Sequence, residues 1–340
     1  MYGFDFEMGP IRPPSEADSI LLRVTRNCPW NKCDFCGVYK GEKFSLREVD
    51  EIKRDIDAMK ALGIESRSAF LQDANSIIMK PDKLAEVLEY FRKQFPMVER
   101  VTSYGRADTL SRISLENMKM LKEAGLDRIH SGYETGSDTI LKKIHKGCTK
   151  QQEIEGGLKV REAGIELSMY FMPGIGGKEL SLENSEETAD VINKVDPDFV
   201  RLRTFVAKPE TEMGEKVRSG EFVPCTDLEK VTEIKEMITR LKDCNGRMVS
   251  DHIVNLLEGI QGHMTLDKPH MLNVISQFEG MEPLSKRRFQ LARRMGYVRT
   301  VKDLNRLPEN ILFQITKIAG QEYSEEEWEE LMNYFLEKYI

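Results

Sequence analysis

The chain has no apolar run approaching the ~20 residues that a membrane-crossing helix needs. Its first residues, MYGFDFEMGPIRPP, carry acid rather than a basic stretch followed by an apolar one. They do not read as a secretory leader, and the cytoplasm is the expected compartment. Positive charge is not in excess: 50 Lys+Arg stand against 57 Asp+Glu, a net charge of −7. That balance favours solubility and argues against a nucleic-acid partner. One basic stretch, RRFQLARR at 287–294, runs the other way and reads as a solvated helix face. Cysteine is sparse, six in 340 residues, too few for a disulfide framework. Internal repeats and low-complexity tracts are also missing.

What is present begins with an alternation. Strand patterns at 19–25, 68–73, 100–105, 127–134, 166–172 and 199–206 are separated by helical ones. The first helix is expected from Ser45, where S-L-R-E has the form of a capping box and Val49, Ile52, Ile56 and Met59 make one apolar face. The second starts at Pro81, suited to a first helical turn. Others cover about 114–124, 149–163 and 182–193. Six strands with five helices between them imply a parallel sheet with right-handed crossovers. Each strand has polar residues inside it, among them Arg23, Ser103, His130, Ser168 and Arg201, so one face looks into something wet or reactive. The expected fold is α/β, a partial (β/α)6 TIM-like barrel over 19–212. A short segment, 1–18, precedes it. Residues 213–340 form an all-helical extension, with helices at 226–242, 248–260, 268–279, 284–295, 301–318 and 324–339. Capping boxes open the first and last of these, at Thr226 and Ser324. The polar, turn-rich stretch 210–225 reads as the linker.

Three of the six cysteines fall within nine residues, in N27-C-P-W-N-K-C-D-F-C-G37 between the first strand and the first helix. Clustering of this kind in a cytoplasmic protein points to a metal. A zinc site would need four ligands, usually as two separated pairs, and the sequence shows no second pair. A four-iron cluster normally takes four thiolates, so three leave one iron open to a substrate or cofactor. The loop after a barrel strand is also where barrel enzymes place their chemistry.

This loop, with the aromatic Phe35 just before its last cysteine, resembles the cluster-binding loop of the radical S-adenosylmethionine superfamily. The usual superfamily spacing is three residues and then two, whereas four separate Cys28 from Cys33 here. Two further stretches resemble the branch that holds coproporphyrinogen dehydrogenases and methylthiotransferases. One is Arg128-Ile-His-Ser-Gly-Tyr-Glu-Thr-Gly-Ser-Asp followed by Ile144-His-Lys-Gly-Cys-Thr. The other is Ala163-Gly-Ile-Glu, then Phe171-Met-Pro-Gly-Ile-Gly-Gly. The resemblance covers about residues 16–212.

The resemblance implies an oxygen-sensitive [4Fe-4S] cluster on Cys28, Cys33 and Cys36, with S-adenosylmethionine on the open iron. It implies reductive cleavage to a 5′-deoxyadenosyl radical that abstracts hydrogen from an organic substrate. An external donor such as flavodoxin or ferredoxin would supply the electron. Besides Phe35, the cofactor contacts it implies are Asp73 toward the methionine amino group and Ser103 and Arg106 toward ribose or carboxylate. Glu134 would meet the ribose, Lys146 the carboxylate, and Ser168 would face the cofactor. Each has a plainer alternative, as cap, ion pair, solvated lysine or core serine. Cys148, Cys225 and Cys244 read as ordinary thiols. The Gly174–Gly177 turn lacks the spacing of a dinucleotide fingerprint.

Strand alternation extends the expectation to the substrate. If Glu134 faces the cofactor, His130 and Arg128 share its side, while Ile129, Ser131 and Tyr133 face helices. Ser168 brings Tyr170 inward, and the apolar Val200 and Leu202 leave Arg201 and Arg203 inward. His130, Tyr170, Arg201 and Arg203 are therefore the candidate catalytic and substrate-binding residues, and two arginines favour an anionic small-molecule substrate. The alternative is that both pair with acids such as Asp198 or Glu166. Dehydrogenation or decarboxylation competes with methyl or methylthio transfer. The sequence shows no second cysteine cluster and no cobalamin domain in residues 1–18, which weighs against most transferases. A non-catalytic iron–sulfur or zinc protein is the reading from a different class.

Overall fold

The structure is a computed structural model and describes residues 6–336. The start of the N-terminal segment and the end of the last expected helix, 337–339, lie outside the described residues. The chain packs as two compact units, one running to Tyr133 and including Leu141–Tyr170, the other holding Glu134–Ile140 and everything from Phe171 on.

The first unit carries β1 (Ile20–Arg23), β2 (Thr25–Arg26), β3 (Ser45–Leu46), α1 (Val49–Ala61), β4 (Ser68–Gln72), α2 (Pro81–Gln94), β5 (Arg100–Tyr104), α3 (Ala107–Arg112) and α4 (Leu115–Glu123). The chain continues through β6 (Arg128–Glu134), α5 (Asp138–Lys143), α6 (Lys150–Glu162) and β7 (Glu166–Phe171). β1, β4, β5 and β6 are parallel neighbours in that order, with β7 next to β6. The register aligns Leu22 with Leu71, and Ser103 with both Leu71 and Ile129. That face is buried under helices, as the Tyr133 hydroxyl donating to the Glu153 carbonyl in α6 confirms. The opposite face gathers Phe70, Tyr104, His130 and Tyr170, their ring centroids 5.0–6.4 Å apart.

One expected helix start moves. Ser45 and Leu46 pair antiparallel with Arg26 and Thr25, so α1 begins only at Val49, with Glu48 and Glu51 forming the capping box. The residues that looked like the helix cap are spent extending the strand pair. The helices expected from about 114, 149 and 226 are found, capped by Ser114, Thr149 and Thr226.

The second unit holds α7 (Gly177–Val195), β8 (Phe199–Leu202), α8 (Glu212–Ser219), α9 (Asp227–Arg240), β9 (Arg247–Val249), β10 (Gly262–His263), α10 (Lys268–Glu279), α11 (Pro283–Arg294), α12 (Glu309–Ala319) and α13 (Glu325–Leu336). It corrects five expectations. The linker contains α8, capped by Thr211 and closed by Gly220 at φ 78°. Strands do not stop at 213: β9 runs parallel to β8, and β10 antiparallel to β9. The helix expected over 248–260 is absent because Asn255 spends its side chain elsewhere. Its amide bonds the Thr204 backbone N–H and hydroxyl, the Leu202 carbonyl and the Ser250 hydroxyl. Pro308 splits the helix expected over 301–318, since it holds Leu307 extended at ψ 143°. The basic stretch 287–294 is not a solvated face either. Arg293 and Arg294 are 2% and 1% exposed, pair with Glu258 and Asp227, and donate to carbonyls of residues 253–255.

Among the described residues no helix is long and apolar enough to cross a membrane.

Candidate functional site

The cysteine loop leaves β2 at Asn27, whose φ of 66° lies in the left-handed region, as does Asn31 at 50°. Asparagine tolerates that region better than most residues. Asp73, just past β4, holds the loop at both ends. Its carboxylate accepts from Arg23 Nε at 2.9 Å and Nη2 at 2.6 Å, and from the Asn27 backbone N–H at 3.0 Å. The Tyr39 hydroxyl, beyond the last cysteine, donates to its other oxygen at 3.4 Å. Burial and the Asp73 charge push that phenol far up. Asp73 is itself completely buried. It was expected to meet the methionine amino group; here it accepts from Arg23 on β1 and from Asn27 and Tyr39 on either side of the cysteines.

A second clamp comes from residues 144–148, the segment between α5 and α6. The Asp34 N–H donates to the Ile144 carbonyl at 3.1 Å, and His145 Nδ1 lies 2.7 Å from the Asp34 carboxylate. Trp30 Nε1 donates to the His145 carbonyl at 2.7 Å. Gly147, at φ 73°, sits so close that an added Cβ would lie 2.3 Å from the Trp30 ring. The Lys146 ammonium lies over the Phe35 ring at 5.5 Å, and Arg106 Nη2 donates to the Lys146 carbonyl at 2.8 Å. Arg106 also pairs with Asp108 and reaches over Trp30. Lys146 and Arg106 are thus both buried beside the cysteines.

The electrostatics follow from this packing. Burial pushes the Cys33 thiol up; Lys146 and Arg106 pull it down; Cys36 and Cys28 push it up again. Three thiols under two cations suit a centre that is negatively charged when thiolate-bound, because the cations offset the repulsion that raises Cys33. The donor set therefore fits an iron–sulfur cluster. Among the described residues, no group of three or more His, Cys, Asp or Glu side chains surrounds a single metal-ion position.

The remaining expected residues fall into three places. Ser168 shares the Tyr170 face of β7 by alternation, and His130 stacks on Tyr170 at 5.6 Å. Ser103 is a correction: its register with Leu71 and Ile129 turns it toward the helices, its hydroxyl bonds the Tyr104 carbonyl, and Tyr104 takes the His130 side. In the second unit, Glu134 ends β6 at φ 68°, 7% exposed, its carbonyl accepting from Met172 N–H. A non-glycine residue held there stores strain of a kind that gathers at functional sites. Arg201 and Arg203 both donate to Asp251, at 2.7 and 2.6 Å, an acid the sequence reading had not named for them.

Two groups escaped the sequence reading. Glu16, in the short 3-10 turn Pro14–Glu16, is completely buried and meets His130 Nε2 at 3.1 Å, Ser19 at 2.6 Å and Arg100 at 3.4 Å. Burial alone would raise its carboxyl, but the bonds and charges of His130, Ser19 and Arg100 bring it below the usual range. Its only sequence signal was the acid in P-P-S-E ahead of the first strand. Asp251 and His252 were hidden by the helix expected over 248–260.

The sequence profile of the Radical SAM superfamily matches residues 22–189. An uncharacterized methyltransferase of Pyrococcus horikoshii is 24% identical over 233 residues, 68% of this chain and 48% of that protein. The heme chaperone HemW of Bacillus subtilis is 26% identical over 175 residues, 49% and 45% of the two chains. The chain thus spans about half the length of these curated relatives. Among solved structures, coproporphyrinogen III oxidase (HemN) of Escherichia coli, a radical SAM enzyme, superposes with a TM-score of 0.52 at 14% identity. The match covers 65% of this chain and 51% of that one. That likeness shows the expected fold, a partial barrel followed by a helical region. Enzymes of this superfamily use a [4Fe-4S] cluster and S-adenosylmethionine, and residues 22–189 of this chain form a radical SAM superfamily domain.

Proposed function

We propose that this chain is a radical S-adenosylmethionine enzyme in which Cys28, Cys33 and Cys36 hold a [4Fe-4S] cluster, and which abstracts hydrogen from an anionic organic substrate. The observation that carries the reading is the double clamp on the cysteine loop, Asp73 at its ends and residues 144–148 along its length. Three thiols on a loop held at so many points suit a centre whose geometry has to be preserved.

When bound, a reduced cluster would pass one electron to the S-adenosylmethionine sulfonium, whose cleavage would release methionine and supply a 5′-deoxyadenosyl radical for hydrogen abstraction. The chain's own residues do the rest. Arg106 and Lys146 offset negative charge next to the thiols and are suited to a carboxylate. Phe35 shields the loop beneath Lys146. Glu134, strained at the end of β6, is suited to a ribose hydroxyl pair, and Ser168 to a further polar contact. His130 and Tyr170, with Tyr104 between them and Phe70, supply polar groups to the aromatic face, and Glu16 fixes the orientation of His130 from behind. Arg201 and Arg203 meet the substrate's anionic group. An external flavodoxin- or ferredoxin-like donor provides the electron.

The test is anaerobic. Reconstituted, reduced protein turns S-adenosylmethionine into 5′-deoxyadenosine and holds about four irons and four sulfides per chain. Ala at Cys28, Cys33 or Cys36 abolishes both, whereas Ala at Cys148, Cys225 or Cys244 leaves the iron content intact. Native protein carrying stoichiometric zinc and little iron overturns the reading.

A further inference from the structure

β8 and β9 run parallel, with Phe199 aligned to Arg247 and Arg201 to Val249. Their carboxyl ends therefore lie side by side, the position where parallel α/β folds gather binding loops. β8 leads there to Arg203 and β9 to Ser250, Asp251 and His252. The register puts Arg201 and Val249 on one face, and the bonds of Asp251 to Arg201 and Arg203 gather those three charged groups at the strand ends. The Asp251 carboxylate accepts from Arg201 with one oxygen and from Arg203 with the other. Although burial works against it, Arg203 and then Arg201 hold Asp251 below the usual carboxylate range. A single carboxylate thus sets the spacing and orientation of two guanidinium groups that are 6% and 9% exposed.

His252 follows directly. Its backbone is held from two sides, the carbonyl accepting from the Asn255 N–H and, at 3.5 Å, from Arg293. Its ring lies in the field of Arg203, Asp251 and Arg293. Burial first, and then Arg203, press the imidazole down to about 4, so the ring is neutral at physiological pH. Its Nδ1 is buried with no hydrogen-bond partner. A bare lone pair is easier to bury than an unsatisfied N–H, which puts the one proton on Nε2. The residue is only half-buried, and Nε2 is the nitrogen left to reach outward. A neutral donor within the field of Arg203, on the residue next to the carboxylate that aligns two guanidinium groups, suits recognition of an oxyanion.

We propose that Asp251 and His252 complete a subsite with Arg201 and Arg203 for a carboxylate or phosphate group of the substrate, Asp251 positioning the two guanidinium groups and His252 donating through Nε2. The proposal rests on the anionic-substrate reading above and adds the two residues that give that reading a built site. The histidine makes the surface selective, because a neutral donor adds a directional bond without adding charge, and its neutrality keeps it from repelling the arginines.

The experiment uses the full-length, cluster-loaded protein labelled with 15N-histidine. Inorganic phosphate and succinate are titrated separately at constant ionic strength, with calorimetry in parallel. The His252 Nε2 resonance, assigned by its loss in His252→Gln, shifts saturably with at least one of the two anions. Which anion saturates it identifies the headgroup. Arg203→Ala and Arg203→Lys both weaken binding, the second retaining the charge but not the fork. His252→Gln weakens it by about tenfold or more. Circular dichroism confirms that each variant is folded. An anion site that depends on Arg203 while His252 is silent and His252→Gln binds normally overturns the role of His252 and leaves the anionic-substrate reading in place. No saturable binding of either anion, or binding indifferent to Arg203→Ala, overturns both. Formation of 5′-deoxyadenosine, measured on the same samples, reports on the radical chemistry separately.

Discussion

Arg23 grips Asp73 with two nitrogens of one guanidinium, Nε at 2.9 Å and Nη2 at 2.6 Å, and the carboxylate it grips is completely buried. The pair ties the end of β1 to the end of β4, and through the Asn27 N–H it sets where the cysteine loop begins. Removing one partner of a buried, hydrogen-bonded ion pair strands the other. Asp73→Asn is therefore expected to cost about 3 kcal/mol, read as a lower denaturant midpoint, and to reduce iron uptake although all three cysteines remain. Wild-type iron content in a folded Asp73→Asn protein sinks the bracing role.

Two glycines give a controlled comparison at the second clamp. Gly147 and Gly164 share nearly the same backbone, φ 73° and 75°, but only Gly147 has a neighbour, the Trp30 ring at 2.3 Å from an added Cβ. Gly164→Ala should cost only the left-handed backbone term, about 1 kcal/mol. Gly147→Ala adds an overlap that Trp30 cannot relieve while its indole bonds the His145 carbonyl, and should cost about 3 kcal/mol. It should also impair cluster loading, which Gly164→Ala leaves alone. Equal effects of the two substitutions on melting and iron content would count against the clamp.

Glu233, on α9, accepts from the Gly174 N–H, the Ser181 hydroxyl and the Asn184 amide, anchoring the Gly174–Gly177 turn. Burial outweighs those bonds and lifts its carboxyl to about 7. The folded protein then holds this proton more tightly than the unfolded chain does. Its stabilising effect is complete below the ordinary carboxyl range and is lost as pH rises through about 7, a change of about 3 kcal/mol. Glu233→Gln should match wild type near pH 5, exceed it in stability at pH 8, and flatten the profile between. Parallel wild-type and variant profiles refute the assignment.

Glu134→Ala is expected to weaken S-adenosylmethionine binding by about tenfold or more, the loss of one charge-assisted hydrogen bond. The visible spectrum of the cluster should not change. Calorimetry on the loaded protein decides: unaltered affinity makes the strained backbone at Glu134 a purely structural matter.

The strands of the first unit could be read from sequence because their apolar residues recur with a clear period, and the helix starts at Thr226 and Ser324 because capping is local chemistry. The cysteine loop was legible for the same reason, as three thiols close in sequence. What holds that loop was not. Nothing in a linear reading shows Arg23, Asn27 and Tyr39 converging on Asp73. Ser103 was placed toward the cofactor by the resemblance, whereas the register with Leu71 and Ile129 turns it toward the helices. Asp251 and His252 were lost inside an apparent helix, since the propensity of 248–260 is overruled by Asn255 bonding across to residues 202–204. Errors arose wherever a side chain spends its hydrogen bonds on a distant segment.

The clamp on the cysteine loop also has a direction in time. Trp30 bonds a carbonyl 115 residues further along, and Asn27 a carboxylate 46 residues further along. As the chain emerges during synthesis, the three thiols are out and pliable long before His145 and Gly147 exist to hold them. A carrier delivering iron and sulfide to the nascent chain would meet a loose peptide, whereas one acting after residue 148 would meet the finished cradle. The same arrangement means that residues 27–37 cannot be lifted out as a portable cluster-binding peptide. Transplanting the site into another barrel would require Arg23, Asp73, Arg106 and the 144–148 segment to travel with it.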